Sequence, residues 1–248
     1  MKKENRYQFM ASSQRVNQYA QAINSYLDSL VAGDGKKSYC PFVKRMQTKD
    51  LFFYDISQAL LIKEEFLSAL AEMEAFLTKV ADPLAVVSLI YVRPENYDPG
   101  LAQEMEKLRQ AERTRFIRQG LTIAWTHPAN PMGTHTDRAK PYASLWISDV
   151  PMLLLRSLHQ GDEPFMLTME QKKAFIVGLK YDQTIPLARE DAGTITPEER
   201  VDIMLAAMAQ TRLSTIASIV VTAQGDLLIS KKDDVLKLSA ADLLILTA

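Results

Sequence analysis

The single cysteine, Cys40, lies in Ser38-Tyr39-Cys40-Pro41-Phe42, and two of the three histidines, His127 and His135, share one proline- and glycine-rich stretch, Thr126-His127-Pro128-Ala129-Asn130-Pro131-Met132-Gly133-Thr134-His135. An ionised thiol is a nucleophile or a soft ligand, and imidazole exchanges protons near neutrality. Cys40 has two readings. It is a small buried hydrophobe, or a thiolate favoured by the neighbouring Lys36-Lys37 and able to attack a substrate or ligate haem iron. Pro41 restricts the backbone at Cys40, which marks the position as geometrically specified. His127 ends an apolar run and precedes proline, so it points into whatever the strand end opens on, or it hydrogen-bonds turn backbone. His135 reads as solvated and His159 as part of a surface turn.

Arg156 closes the apolar run Pro151-Met152-Leu153-Leu154-Leu155. A guanidinium there either reaches solvent or pairs with a carboxylate, Asp162 in a structural clasp or a ligand carboxylate gripped in a fork. Trp125 and Trp146 flank the histidine stretch as walls of an apolar pocket or as plain core. The expected pocket lies between the Cys40 loop and the segment from His127 to Tyr142.

Several signatures are absent. There is no Gly-x-Gly-x-x-Gly after a strand, no phosphate loop ending in Gly-Lys-Ser/Thr, and no Gly-x-Ser-x-Gly elbow. One cysteine and no helical histidine pair leave no framework for a structural zinc. The 29 basic and 30 acidic residues give a formal charge of −1, so no global field favours nucleic acid. Lys107, Arg109, Arg113, Arg115 and Arg118, interleaved with Glu104, Glu106 and Glu112, read as a solvated helix face. The lone cysteine, a polar amino terminus and the lack of a long apolar run predict a cytoplasmic protein that does not enter the membrane.

The elements that would position these groups follow from periodicity. Residues 12–32 carry Val16, Tyr19, Ile23, Tyr26, Leu27 and Leu30 at helical spacing and stop at Gly33. Leu51–Ile56, Leu84–Val92, Leu121–Thr126 and Pro151–Leu158 read as strands, while Ile62–Val80, Pro99–Arg118 and Thr168–Tyr181 read as helices. The pattern predicts an α+β fold, a mostly antiparallel sheet with helices packed on one side. Beyond it, residues 184–194 read as loop, Thr196 to Gln210 as helix and Ile216–Ser230 as a hairpin turning at Gln224-Gly225-Asp226. The division expected is a main domain over 1–183 and a helix–hairpin extension over 184–248. Leu236, Leu238, Leu243, Leu244, Ile245 and Leu246 offer apolar surface for a homo-oligomer.

Four ordered elements, Cys40-Pro41-Phe42, Trp125-Thr126-His127-Pro128, Pro151-Met152-Leu153-Leu154-Leu155-Arg156 and Asp162-Glu163-Pro164-Phe165-Met166, resemble an uncharacterised bacterial domain family over roughly residues 35–182. The layout of early cysteine, later histidine and arginine is also similar to that of the haem-dependent N-hydroxylases of the guanitoxin type. That likeness implies an oxygenase of small-molecule metabolism, secondary metabolism included. On this chain's own residues the sharper expectation is action on an amino acid or amine, with haem on His127 and the substrate carboxylate on Arg156. Two readings stand beside it. One is a cofactor-free enzyme with Cys40 as nucleophile and His127 as base. The other is a non-enzymatic binding or oligomerising protein in which the same elements only lock loops.

Overall fold

The computed structural model describes residues 6–15, 17–35, 37–58, 63–92, 99–127, 137, 139–145, 150–191 and 193–241. The chain divides into two compact units, Met1–Arg113 with Leu121–Ser157, and Thr114–Gly120 with Leu158–Ala248. The split near Ser157 falls earlier than the expected boundary at 183/184. His135, Trp146 and most of the segment from His127 to Tyr142 lie outside the described residues, as do Leu243 to Leu246.

The first unit is built on a five-stranded sheet of order β1-β2-β3-β5-β4, with β1 Met10–Ala11, β2 Phe52–Ser57, β3 Val86–Tyr91, β4 Leu121–Thr126 and β5 Met152–Ser157. Strands β2 and β3 pair in parallel, joined by α3 (Lys63–Val80), and the other three pairings are antiparallel. Because β5 is antiparallel to both β3 and β4, those two strands run the same way without touching. The sheet is thus mostly antiparallel by pairing, as the sequence predicts.

Side chains alternate across a strand, so register assigns each residue to a face. Phe52, Tyr54 and Ile56 of β2 align with Val86, Ser88 and Ile90 of β3, and Val86 and Ile90 align with Arg156 and Met152 of β5. Thr126 in turn sits opposite Met152. On this face lies α1 (Ala20–Ala32), whose Ile23, Tyr26, Leu27 and Leu30 share a core cluster with Phe52, Tyr54, Val86, Ile90 and Met152. The short α2 (Val43–Thr48) adds Val43 and Met46.

The opposite face carries α3 and α4 (Pro99–Arg118). Phe53 stacks edge-on against Phe76 of α3 with ring centroids 5.1 Å apart, and Trp125 donates its indole N–H to Glu106 of α4. Helices therefore cover both faces, not the one side expected. The sheet's two apolar faces explain this. Val86 through Tyr91 are all buried, and a strand apolar on successive residues must be sheltered twice.

In α4 the expected solvated face is also corrected. Met105, Arg109, Arg113 and Phe116 follow the helical repeat and are all buried, Arg109 at 1 % and Arg113 at 3 % exposure. The charge pattern hides this because the arginine's neutralising partner, Glu106, lies one turn away on the same helix.

In the second unit a four-stranded sheet of order β6-β7-β8-β9 comprises Leu187–Arg189, Ile216–Val221, Leu227–Lys231 and Val235–Leu238. The expected hairpin is β7–β8. The stretch read as loop after residue 184 contains β6, which pairs in parallel with β7. Leu238 is buried in this unit's core and Leu236 packs against it, so both belong to β9 rather than to open surface. Helices α5 (Met169–Gly178), α6 (Tyr181–Thr184) and α7 (Pro197–Met208) complete the unit. Thr196 caps α7, accepting from the Glu199 N–H while Glu199 accepts from the Thr196 N–H. Among the described residues no helix is long and apolar enough to cross a membrane.

Candidate functional site

Cys40 owes its place to Gly33. This residue ends α1 at φ +60°, and a side chain there would meet the Lys37 carbonyl oxygen at 1.8 Å. Only glycine lets the chain fold back this tightly. The returning strand then hangs on one carbonyl, that of Leu30, which accepts from the Tyr39 N–H at 2.9 Å and the Ser38 hydroxyl at 2.7 Å. Cys40 emerges half-buried, packed against the α1–sheet core just before α2.

Tyr26, on the apolar stripe of α1, is fully buried, and its hydroxyl is hydrogen-bonded to the Thr126 side chain at the end of β4. Burial pushes its phenol well above the ordinary tyrosine range, against the smaller downward pull of Thr126. The Cys40 thiol raises it further and the Arg156 guanidinium lowers it, so both groups lie within electrostatic reach of the phenol. On the α1 face the phenol is thus bonded to the Thr126 hydroxyl, with a thiol and a guanidinium within electrostatic reach. Arg156 is half-buried and donates one N–H to the Ser157 carbonyl at 2.9 Å. Asp162 belongs to the second unit. There its carboxylate accepts from the His159 N–H at 2.8 Å while the His159 ring accepts from Gly161. His159 therefore caps a 3-10 helix, Gln160–Phe165.

One residue beyond Thr126 the chain turns to the other face. His127 is 5 % exposed and its ring lies 5.4 Å from that of Trp125. Trp125 is held by Glu106, whose carboxylate also accepts two bonds from Arg109, at 2.8 and 2.6 Å, and one from Gln110 at 2.7 Å. Arg109 reaches on to the Ile123 carbonyl at 3.4 Å. Burial opposes ionisation of Glu106, but Arg109, Trp125 and Gln110 together outweigh it and hold the carboxyl below the usual carboxylate range. The result is a fixed support for the imidazole plane.

Cys40 and His127 are therefore on opposite faces of the sheet. The structure does not bring them together, and the expected nucleophile–base pair is not formed. It does bring Cys40 and Arg156 to one phenol, and Trp125 to His127. Tyr26 and Thr126 were not singled out by sequence reasoning. The available signal was a tyrosine set among Ile23, Leu27 and Leu30 on the helix stripe, whose hydroxyl must find a partner when buried. Glu106 and Arg109 were seen only as part of a solvated face. Among the described residues no group of three or more His, Cys, Asp or Glu side chains is placed to hold a metal ion.

No curated protein and no solved structure matches the chain. The sequence pattern of a domain of unknown function, DUF6875, matches residues 17–189, which takes in Tyr26, Cys40, Thr126, His127 and Arg156 and extends past both ends of the span expected from the four ordered elements. The match covers well over half of the 248 residues, and the chain belongs to the DUF6875 family.

Proposed function

We propose that this chain is an enzyme of small-molecule metabolism acting on an amino acid or amine at the half-buried surface over Tyr26. The observation that carries the reading is a buried phenol hydrogen-bonded to Thr126, with the half-buried residues Cys40 and Arg156 within its electrostatic reach. In this reading Arg156 grips the substrate carboxylate through its planar fork, and the Cys40 thiol faces the reacting centre. Tyr26 stays protonated through neutral pH because burial disfavours the phenolate, so it donates a hydrogen bond or a proton and does not act as a base. Thr126 fixes the direction of that donation.

Calorimetric titration with a panel of α-amino acids and amines tests this. A ligand should bind the wild type, and Arg156→Lys should weaken it about tenfold with the melting temperature unchanged, since lysine keeps charge but loses the fork. Absence of binding across the panel, or equal binding to Arg156→Lys, would count against the reading.

A second reading moves the chemistry to the opposite face of the sheet, onto haem held by His127, and the support behind His127 favours it. An axial histidine needs its ring plane held by its surroundings, which Trp125, anchored on Glu106, supplies. Haem there would supply dioxygen activation for N-hydroxylation, and His127 would be its ligand. Haemin should then give a sharp Soret band that His127→Ala removes and Cys40→Ala leaves in place, and the band should fade on acidification as the imidazole protonates. The reverse mutant pattern would move the ligand to the thiol, and no band at all would discard haem.

A further inference from the structure

We propose that the second unit binds a linear aliphatic carboxylate in the cavity between the 3-10 helix Gln160–Phe165, α5 and α7. The cavity measures about 340 Å³ and is lined by Met166, Met169, Leu205 and Met208, with Lys172 and Glu163 at its polar edge. Three thioethers give a wall that is apolar and adaptable, suited to an alkyl chain rather than to a rigid ring. Exposed apolar side chains concentrate here as well. Of the four large hydrophobic residues exposed among those described, Met169 at 45 % lines this cavity and Leu167 at 75 % follows its lining residue Met166 in the chain.

Charge decides the head group. Glu163 is engaged within the protein, where its carboxylate accepts from the Leu213 backbone N–H and faces the Arg212 charge. Lys173 pairs with Asp202 at 2.7 Å. Among the described residues no carboxylate pairs with Lys172, a half-buried residue that lines the cavity beside its methionines. Size decides between a small amphiphile and a partner helix. A cavity of about 340 Å³ is at the lower end of small-ligand pockets, whereas a stable protein partner needs roughly 1,000 Å² of interface. An acyl chain along the methionines with its carboxylate on Lys172 satisfies both features.

The test is calorimetry on the full chain with straight-chain carboxylates from hexanoate to dodecanoate, each below its micellar concentration. Affinity should rise about fourfold per methylene, the factor equivalent to about 0.8 kcal/mol, and then level off when the cavity is full. Lys172→Gln should weaken decanoate about fivefold, the worth of a partly exposed ion pair, and should strengthen n-decylamine, whose ammonium no longer faces a like charge. The proposal is overturned if decylamine binds wild type as well as decanoate does, if Lys172→Gln has no effect, or if affinity climbs without levelling. A dimer in sedimentation that Met208→Asp dissociates, with no carboxylate bound, would assign the surface to a second copy and overturn it equally.

Discussion

Thr126 and His127 are neighbours in sequence and serve opposite faces of the sheet, and the two faces are built differently. On the α3/α4 face, Glu106 is enclosed by donors. Four bonds from three residues saturate its carboxylate, and the whole set holds a tryptophan against His127. On the α1 face, groups of unlike chemistry converge where Cys40 and Arg156 remain half-buried. The first arrangement is that of a support, in which Arg109 and Glu106 answer one another. The second sets a thiol, a phenol, a hydroxyl and a guanidinium of unlike chemistry on one face, the thiol and the guanidinium on half-buried residues. The difference teaches that a buried charge can serve as scaffold alone.

Stability measurements can break this contrast. The largest effect is expected at Arg109. Replacing it with alanine removes a buried guanidinium and strands Glu106, at a cost of about 3 kcal/mol, the lower end for a buried pair because the carboxylate is partly solvated. A loss below 1 kcal/mol in urea unfolding would mean the α3/α4 face is not the rigid support described.

Glu106→Gln should cost less, about 1–2 kcal/mol, since the amide still accepts from Trp125. The folded-state ionisation of Glu106 is depressed, so its stabilisation is present above the ordinary glutamate range and lost as pH falls through the folded value. The gap between wild type and Glu106→Gln should therefore close on acidification, as melts in a pH series would record. A gap that widened would reverse the assignment.

Tyr26→Phe should cost about 1 kcal/mol for one buried hydroxyl bond. The Tyr26 ionisation is raised in the fold, so its contribution is intact below the ordinary phenol range and declines as pH rises above it. Wild type should accordingly lose stability in strong alkali faster than Tyr26→Phe. Parallel curves would place the phenol in contact with solvent and dissolve the α1-face cluster.

The smallest change belongs to Cys40→Ser, about 0.5 kcal/mol at a half-buried position. If Cys40 is chemically engaged, substrate turnover should collapse in this variant while its melt scarcely moves. A stability loss several times larger would make the thiol a core element and weaken the enzyme reading at its centre.

Much of this frame can be read from the chain. Four of the five strands of the first sheet, helices α3 and α4 and the β7–β8 hairpin follow from runs of apolar or alternating residues long enough to carry a period. Shorter pieces do not. The six residues of α2 span fewer than two turns, and β6 and β9 exist because the hairpin offers edges to pair with, a tertiary cause invisible to local pattern. The helical spacing read from residue 12 onward is realised as α1 only from Ala20, because Ser12–Gln14 form a 3-10 turn directly after the β1 residues that pair with β2. The site shows the same division. Cys40, His127 and Arg156 stand out by residue type, whereas the Tyr26–Thr126 bond and the buried side of α4 depend on partners that only packing supplies.

One feature of the sheet bears on how the chain acquires it. Strand β5 is made after β4 yet lies between β4 and β3, and among the described residues β4 pairs with no other strand. The hydroxyl of Ser88 donates to Leu153 across 65 residues of sequence, a measure of how late that seam closes. While β5 is absent, β3 and β4 each present open rows of amides, and loop-closure entropy delays their meeting. Refolding followed by amide exchange should show β2 and β3 protected first, with β4 gaining protection only together with β5. The two residues that divide the faces, Thr126 and His127, would then take their positions in the final step, so that a chain stalled before it has neither side of its site and offers sticky strand edges instead.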